Sequence, residues 1–337
     1  MLPSTLKARC AIATKPSWYY LSLLAFCLSH DGAVSAKQFQ LGCNAAPFPV
    51  STAARPIDRV CPNEGDSAPD SPKGRQNAVK NNLCGTGNPV TLTFADFMSL
   101  QEQAAAMGVP FGATGSGPTR VEHLPTDRSQ LTSGNFRVRG DRIREGDVVQ
   151  IVAFMDDPHP ADLGSGEDVN CHQSEAAEND IHINLVQSPA PPKPRSNDPD
   201  ADEKRAARKH ALCKAIVAEV IPHFRPDVYE AQFFVPIAKR RIPVKVTGQL
   251  FFDAAHRPCD GDTPRDSSVR GTLWEIHPIY SLLVCKHRTL AQCPADSAEV
   301  WQQIDEWIQA NGVTAAEIAE SAVFEEDEDR KGEHEGE

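Results

Sequence analysis

Residues 273–285 read LWEIHPIYSLLVC, and their pattern of apolar and polar side chains indicates the fold class. Its polar Glu and His interleave with Trp and Ile, which is typical of a strand that buries one face. Five further stretches share the period of two: 136–139 (FRVR), 147–155 (DVVQIVAFM), 180–186 (DIHINLV), 215–221 (AIVAEVI) and 243–253 (PVKVTGQLFFD). Five or six strands broken by one helix predict a mainly β fold, an OB-like closed barrel with peripheral helices. A β-sandwich is the alternative, because turn signals do not separate the two.

Two of these strands pair a carboxylate with a histidine two positions later, in D-I-H at 180–182 and E-I-H at 275–277. Strand side chains alternate between faces, so each acid lies on the same side as its histidine. If the two strands approach in the barrel, the polar side chains should converge in one patch with a further histidine at its rim. The candidate site residues are therefore Asp180, His182, His256, Glu275 and His277.

This set of side chains has three interpretations. Imidazole and carboxylate ligands suit zinc or another divalent metal, with Asp180, His182, Glu275 and His277 as the candidate ligands. The same groups could supply a general base and the residue that orients it in a hydrolase. They could also only hydrogen-bond one another and fix strand ends, and this structural interpretation is preferred because such networks often imitate sites. Asp156, Asp157 and His159 form a looser group in a loop.

The first 36 residues predict a secretory signal peptide. Basic residues precede a 12-residue apolar run, WYYLSLLAFCLS at 18–29, and small residues end the segment at Ala36. A bilayer span needs roughly 20 residues, so cleavage near Ala36 is expected rather than anchoring. No later stretch is long and apolar enough to span. We therefore expect a periplasmic or secreted protein with no transmembrane segment in the mature chain.

Eight cysteines remain after the predicted cleavage, and an even number in an exported chain indicates disulfides. The closest two, Cys285 and Cys293, are too far apart for a zinc knuckle, and the pairing cannot be read from the sequence. The disulfide candidates are Cys43, Cys61, Cys84, Cys171, Cys213, Cys259, Cys285 and Cys293.

The remaining chain divides by composition. Residues 37–135 are rich in Cys, Pro and Gly, with one helix starting at the T-F-A-D capping box at 93–96, and residues 136–290 hold the barrel. Within the barrel, the Pro-rich insert 187–203 is expected to be disordered, and a helix is expected at 203–212. C-terminal helices are predicted within 291–324, and an acidic disordered tail over 325–337.

The charge pattern bears on partners. The net charge of −12 argues against nucleic acid as a partner, because a polyanion would be repelled. The best basic run, KRAARK at 204–209, is short and typical of an exposed helix. G-x-S-x-G, H-E-x-x-H and phosphate-loop motifs are absent from the sequence. No motif predicts a cofactor, so a divalent metal such as zinc at the acid–His cluster is the one candidate.

Several motifs follow in a fixed order: N-C at 170–171, D-I-H at 180–182, I-V-A-E-V-I-P at 216–222, V-T-G-Q-L-F-F-D at 246–253 with His256, and W-E-I-H-P-I at 274–279. This order resembles a set of uncharacterised exported bacterial proteins whose OB-like β domain closes in a Glu-(Ile/Leu)-His-Pro strand. The likeness covers about residues 147–285 and, more faintly, 81–111; the Pro-rich insert and the acidic tail depart from it. The resemblance implies a barrel and export, and it implies no reaction.

These observations favour an exported binding or structural module whose ligand and partners the sequence does not identify. The alternative is a metal-assisted hydrolase that uses the Asp/Glu–His cluster. A weaker alternative is an oligosaccharide or oligonucleotide binder on the barrel face, with Trp274, Phe251 and Phe252 as the aromatic candidates.

Overall fold

The computed structural model describes residues 38–43, 54–115, 119–161, 163–195, 197–265 and 268–323. The predicted signal peptide and the predicted acidic tail lie outside the described residues. The strands are β1 (Val90–Thr91), β2 (Ala113–Thr114), β3 (Val121–Glu122), β4 (Phe136–Val138), β5 (Asp141–Ile143), β6 (Val148–Pro160), β7 (Ile181–Val186), β8 (Ile216–Val220), β9 (Pro243–Phe252), β10 (Trp274–Cys285) and β11 (Trp301–Gln302). The α-helices are α1 (Pro72–Lys80), α2 (Phe94–Ala106), α3 (Ser129–Thr132), α4 (Ala201–Leu212), α5 (Ala231–Lys239), α6 (Ile304–Ala310) and α7 (Ala315–Val323).

Strands β6 to β10 form a closed barrel in the order β6–β7–β8–β10–β9 and back to β6. All pairs are antiparallel except β8 and β10, which run parallel. Numbered along the chain, the strand order is 1-2-3-5-4-1, with helix α5 between the third and fourth strands. The predicted OB-like closed barrel with peripheral helices is confirmed, with five barrel strands, and the sandwich alternative is excluded because the sheet closes on itself.

The period of two places one set of side chains inside the barrel and the other outside. On β7, Ile181, Ile183 and Leu185 belong to the central core, whereas His182 and Asn184 alternate with them on the outer face. Each fully buried aliphatic side chain contributes roughly 1.5–3 kcal/mol to folding. Because the polar side chains of these strands point to the outer face, they do not enter this core.

Strands β9 and β10 pair closely, with register shifts around the cis His277–Pro278 peptide. Gly248 lies opposite this irregularity, and a Cβ there would come within 2.3 Å of the Pro278 carbonyl oxygen. A glycine is therefore required at position 248 for the two backbones to approach.

The helices differ from the sequence prediction in three places. Residues 37–135 were expected to hold one helix, and the structure has α1, α2 and α3 there; α2 begins at the predicted Thr93 capping box. The polar sequence of α1, PKGRQNAVK, gives little apolar periodicity, which is why its helix is not apparent. Helix α5 was not predicted, because it contains Pro236 and proline disfavours a helix. Helix α4 begins at Ala201, two residues before the predicted start, so its first residues lie inside the insert that was expected to be disordered.

All eight predicted cysteines form disulfides, which pair Cys43 with Cys84, Cys61 with Cys171, Cys213 with Cys259, and Cys285 with Cys293. Two of the four bridges fasten the N-terminal segment: one closes it on itself and the other joins it to the loop before β7. Across the described part of the chain, none of the helices combines the length and the apolar character needed to cross a membrane.

Candidate functional site

The candidate site lies on the outer face of the barrel, where β7, β8 and β10 lie side by side. Helix α1 and the loop before β7 cover this face. Gln249 on β9 donates a hydrogen bond of 2.7 Å to the Val79 carbonyl in α1, and Asn77 donates to the Glu64 carbonyl at 3.0 Å and to the Asp168 carboxylate in the loop. Because of this cover, polar side chains that a bare barrel would expose to water are buried.

His277 is the centre of the cluster and is fully buried. Its Nε2 lies 3.6 Å from Asp180 Oδ2, its Nδ1 lies 2.9 Å from Glu219 Oε2, and Nδ1 is 3.9 Å from Glu275 Oε2. The structure thus brings Asp180, Glu275 and His277 together, as the two acid–His motifs required. Three carboxylates surround one imidazole.

Glu219 was not among the candidates from the sequence, although it joins the two motifs. On β8 it pairs across the ladder with His182, whose Nδ1 donates to Glu219 Oε1 at 3.1 Å. Its second oxygen, Oε2, points toward His277. The available signal was a single Glu in the apolar run IVAEVI, between Ala218 and Val220, which both face the core.

A second group of charges adjoins the first. Asp253 Oδ2 lies 3.6 Å from Lys80 Nζ, 3.6 Å from His256 Nε2 and 3.7 Å from Arg270 Nη1. Arg270 also forms a buried ion pair with Glu275 Oε1, which links this group to His277. His256 therefore lies at the rim, with a quarter of its side chain exposed, and contacts Asp253 rather than the central imidazole.

Lys80 is the other residue that sequence analysis missed. It is the last residue of α1, and its side chain is only 9% exposed, which is unusual for lysine. Burial opposes its charge, but the charges of Asp253, Glu219, Glu167 and Glu275 outweigh it and raise the pKa of Lys80 well above its usual value. Lys80 is thus a buried ammonium group held among carboxylates.

The carboxylates and the histidine also have displaced pKa values. Burial lowers the pKa of His277, but the negative charge of Glu219 overrides it and raises that pKa to about 10. Burial raises the pKa of Glu219, but Lys80 and His277 reverse the effect and hold it well below its usual value. For Asp180, burial prevails over the attraction of His277, so its pKa is raised. His182 remains neutral near pH 7, since burial lowers its pKa despite the bond to Glu219.

Several buried atoms at the centre have no hydrogen-bond partner. They are both carboxylate oxygens of Asp180, Oε2 of Glu219, Oε2 of Glu275 and both ring nitrogens of His277. The 2.9 Å contact between His277 and Glu219 lacks the alignment of a hydrogen bond. Ligand atoms of Asp180, Glu219 and His277 all lie within 4.8 Å of one another, and within the described residues they are the one group of three or more that could hold a metal ion in this way. Unsatisfied buried polar atoms are rare in native proteins and need an explanation.

The aromatic candidates for a stacking surface lie inside the protein. Trp274 and Phe252 belong to the barrel core, and Phe251 is fully buried under the guanidinium of Arg128, which lies 5.1 Å from the ring centroid. None of the three faces solvent, so a nucleic acid or oligosaccharide cannot stack on them in this conformation.

No protein-family model, no curated protein and no solved structure matches this chain. The functional assignment therefore depends on the geometry of the side chains.

Proposed function

We propose that this protein is an exported module that binds one divalent cation, zinc in the first instance, through Asp180, Glu219 and His277. Two observations support the proposal. One ligand atom each from Asp180, Glu219 and His277 lie within 4.8 Å of one another, and both oxygens of Asp180, Oε2 of Glu219 and both ring nitrogens of His277 lack a well-aligned hydrogen bond. An ion placed among them would accept a carboxylate oxygen from Asp180 and from Glu219 and, once His277 loses its extra proton, one of its ring nitrogens. Zinc accepts both imidazole nitrogen and carboxylate oxygen as ligands.

Local charge supports a cation at this position. Asp180, Glu219, Glu275 and Asp253 bring four carboxylates to one buried region, which also holds Lys80 and Arg270 as permanent cations. Glu167 adds a further negative charge near Lys80. Negative charge thus exceeds positive charge when His277 is neutral, and a buried excess of this kind is costly unless it is compensated. Without an ion, a protonated His277 neutralises one unit of this excess negative charge. A divalent cation bound to neutral His277 neutralises two units.

The surroundings would also orient the ligands. His182 donates to Glu219 Oε1, which leaves Oε2 for the ion. Ligands of bound metals are commonly oriented by such outer hydrogen bonds.

Burial favours a structural ion over a catalytic one. The side chains of Asp180 and His277 are 0% exposed and that of Glu219 is 6% exposed, so a substrate has no direct path to the centre. A metal-assisted hydrolase, the alternative function, needs an open coordination position that water and substrate can reach. An ion here would instead hold β7, β8 and β10 together beneath their cover.

The metal content of the mature, disulfide-bonded protein tests the proposal. We expect about one equivalent of zinc by elemental analysis, lost in His277→Ala and in the near-isosteric Glu219→Gln. His256→Ala is the matched control, since His256 contacts Asp253 at the rim and should retain the metal. Asp180→Asn provides a third test if His277→Ala does not fold.

A protein that takes up no zinc, manganese or other divalent ion after chelation and reloading would contradict the proposal. In that case the cluster is an ion-paired network around a protonated His277. Metal content equal in the wild type and in every ligand variant would also refute it.

Export is a separate part of the proposal and has its own test. Four disulfides support it, because such bridges form and persist in oxidising compartments. Mass spectrometry of the protein from periplasm or medium should show a chain that begins near Lys37. An intact amino terminus on membrane-bound protein would contradict this.

A further inference from the structure

We infer that His159 and His182 form a second cation site, nearer to the surface, that binds a copper(II)-type divalent ion. This site goes beyond the ion proposed at His277, because it uses different nitrogen atoms and does not require the inner ion to be present.

The two histidines face each other across neighbouring strands. His159 on β6 pairs with His182 on β7 in the ladder, and their ring centroids are 5.3 Å apart with an angle of 36° between the ring planes. Cross-strand neighbours of this kind keep their side chains on one face of the sheet. This centroid separation is compatible with one ion that forms a metal–nitrogen bond of about 2.0–2.1 Å to each ring.

Each ring is already anchored by its other nitrogen. His182 Nδ1 donates to the Glu219 carboxylate at 3.1 Å, and His159 Nδ1 donates to the Asp157 carbonyl at 2.7 Å. A carboxylate and a carbonyl can only accept, so the hydrogen is on Nδ1 in both rings, and in the neutral ring the lone pair is on Nε2. Metal-binding histidines typically have this arrangement, with one nitrogen held by a carboxylate or carbonyl and the other on the metal.

The environment admits a cation from outside. His159 is partly exposed and 11% of the His182 side chain is exposed, in contrast to the closed inner cluster. Asp157 interacts electrostatically with both rings and adds a negative charge. Three cations lie near these groups: Arg208 is paired with Asp156 and lies 3.7 Å from Asp157, Lys193 interacts with Asp157, and Arg270 acts on His182 but is paired with Glu275.

Imidazole pairs select borderline metals over calcium or magnesium, and among the divalent ions of the first transition row copper(II) binds such ligands most strongly. Two imidazoles leave further coordination positions for water, so the bound ion would exchange with solvent. Glu219 would lie between the two sites, with Oε1 on the outer histidine and Oε2 on the inner ion.

Copper(II) titration of the mature protein tests this inference, followed by calorimetry and by electron paramagnetic resonance of the bound ion. We expect nitrogen couplings from two imidazoles and at least a tenfold loss of affinity in His159→Ala. His159→Gln is the second variant if the alanine form is unstable. His287→Ala is the matched control, because His287 is an exposed histidine after β10, and it should bind as the wild type does.

His277→Ala separates the two sites. It should abolish the inner ion and keep the copper signal, so failure of the inner site leaves the outer one testable. Copper affinity unchanged in His159→Ala, or a spectrum without imidazole nitrogen, would overturn the inference.

Discussion

Replacing Lys80 with methionine should destabilise the protein far more than replacing an ordinary surface lysine. Methionine keeps most of the volume of the side chain and removes its charge. Lys80 Nζ lies 3.6 Å from Asp253 Oδ2, and both side chains are less than a tenth exposed. The substitution leaves Asp253 buried without its nearest lysine, although Arg270 remains at 3.7 Å.

The size of the effect follows from the distance. At 3.6 Å and an effective dielectric constant of about 20, the attraction between two unit charges is about 4–5 kcal/mol. Removing the ammonium group also recovers the cost of burying it, which reduces the loss. Measured disruptions of buried pairs amount to about 3–5 kcal/mol, so we expect Lys80→Met to lower the free energy of unfolding by about 3 kcal/mol.

Lys73 is the matched control on the same helix. Its Nζ lies 3.0 Å from Glu122, closer than Lys80 lies to Asp253, but the side chains are 32% and 24% exposed. Exposed pairs contribute at most about 1 kcal/mol, so Lys73→Met should have little effect. Both variants are compared with the wild type by urea denaturation with disulfides intact, once with chelator and once with zinc.

A double-mutant cycle measures the interaction between Lys80 and Asp253 separately from their other contacts. It compares Lys80→Met, Asp253→Asn and the variant that combines both substitutions. We expect the double variant to be more stable than the sum of the single effects implies. A loss for Lys73→Met equal to or larger than that for Lys80→Met would show that burial does not strengthen the interaction, and would refute the reasoning.

Two other expectations concern pH and the disulfides. Burial alone would raise the pKa of Asp253, but the positive charges of Lys80, His256 and Arg270 overcome it and hold that pKa far below its usual value. Ionised Asp253 therefore stabilises the fold above its unfolded pKa of about 3.9. This contribution is lost as the pH falls through the folded pKa. Asp253→Asn should therefore be less stable than the wild type in urea at pH 7, with a difference that shrinks below about pH 4; a difference independent of pH would contradict this. Replacing both cysteines of the Cys61–Cys171 bridge by alanine should cost about 2 kcal/mol more than the same change at Cys285–Cys293, because the sequence separations are 110 and 8; equal melting temperatures of the two variants would contradict the chain-entropy account.

The sequence predicted the barrel well because its signal is local. Alternation of apolar and polar residues along β7 and β10 shows which side chains face the core, and no knowledge of the partner strand is needed. The same alternation placed Asp180 with His182, and Glu275 with His277, on common faces. Helices α1 and α5 were missed for an equally local reason, since one is mostly polar and the other contains Pro236.

The site was only half predictable. A histidine two positions after an acid is a visible motif, whereas neither Glu219 nor Lys80 belongs to an acid–His pair. Glu219 enters the cluster because β8 lies between β7 and β10 in the barrel, and a single Glu in an apolar strand does not reveal its neighbours. Lys80 enters because α1 lies over that face, where Gln249 of β9 bonds its backbone.

The strands and the faces of their side chains can be read from the sequence because they depend on residues close together in the chain. The disulfides were indicated differently, by an even number of cysteines in a chain expected to be exported, although the bridged residues are 8 to 110 positions apart. Three features become apparent only in the folded protein: which carboxylates surround His277, the burial of Lys80 among them, and the cover over the polar face of the barrel. Those features depend on contacts between segments far apart in sequence. Burial by α1 turns ordinary surface charges into strongly interacting ones, because it removes the water that would otherwise screen them.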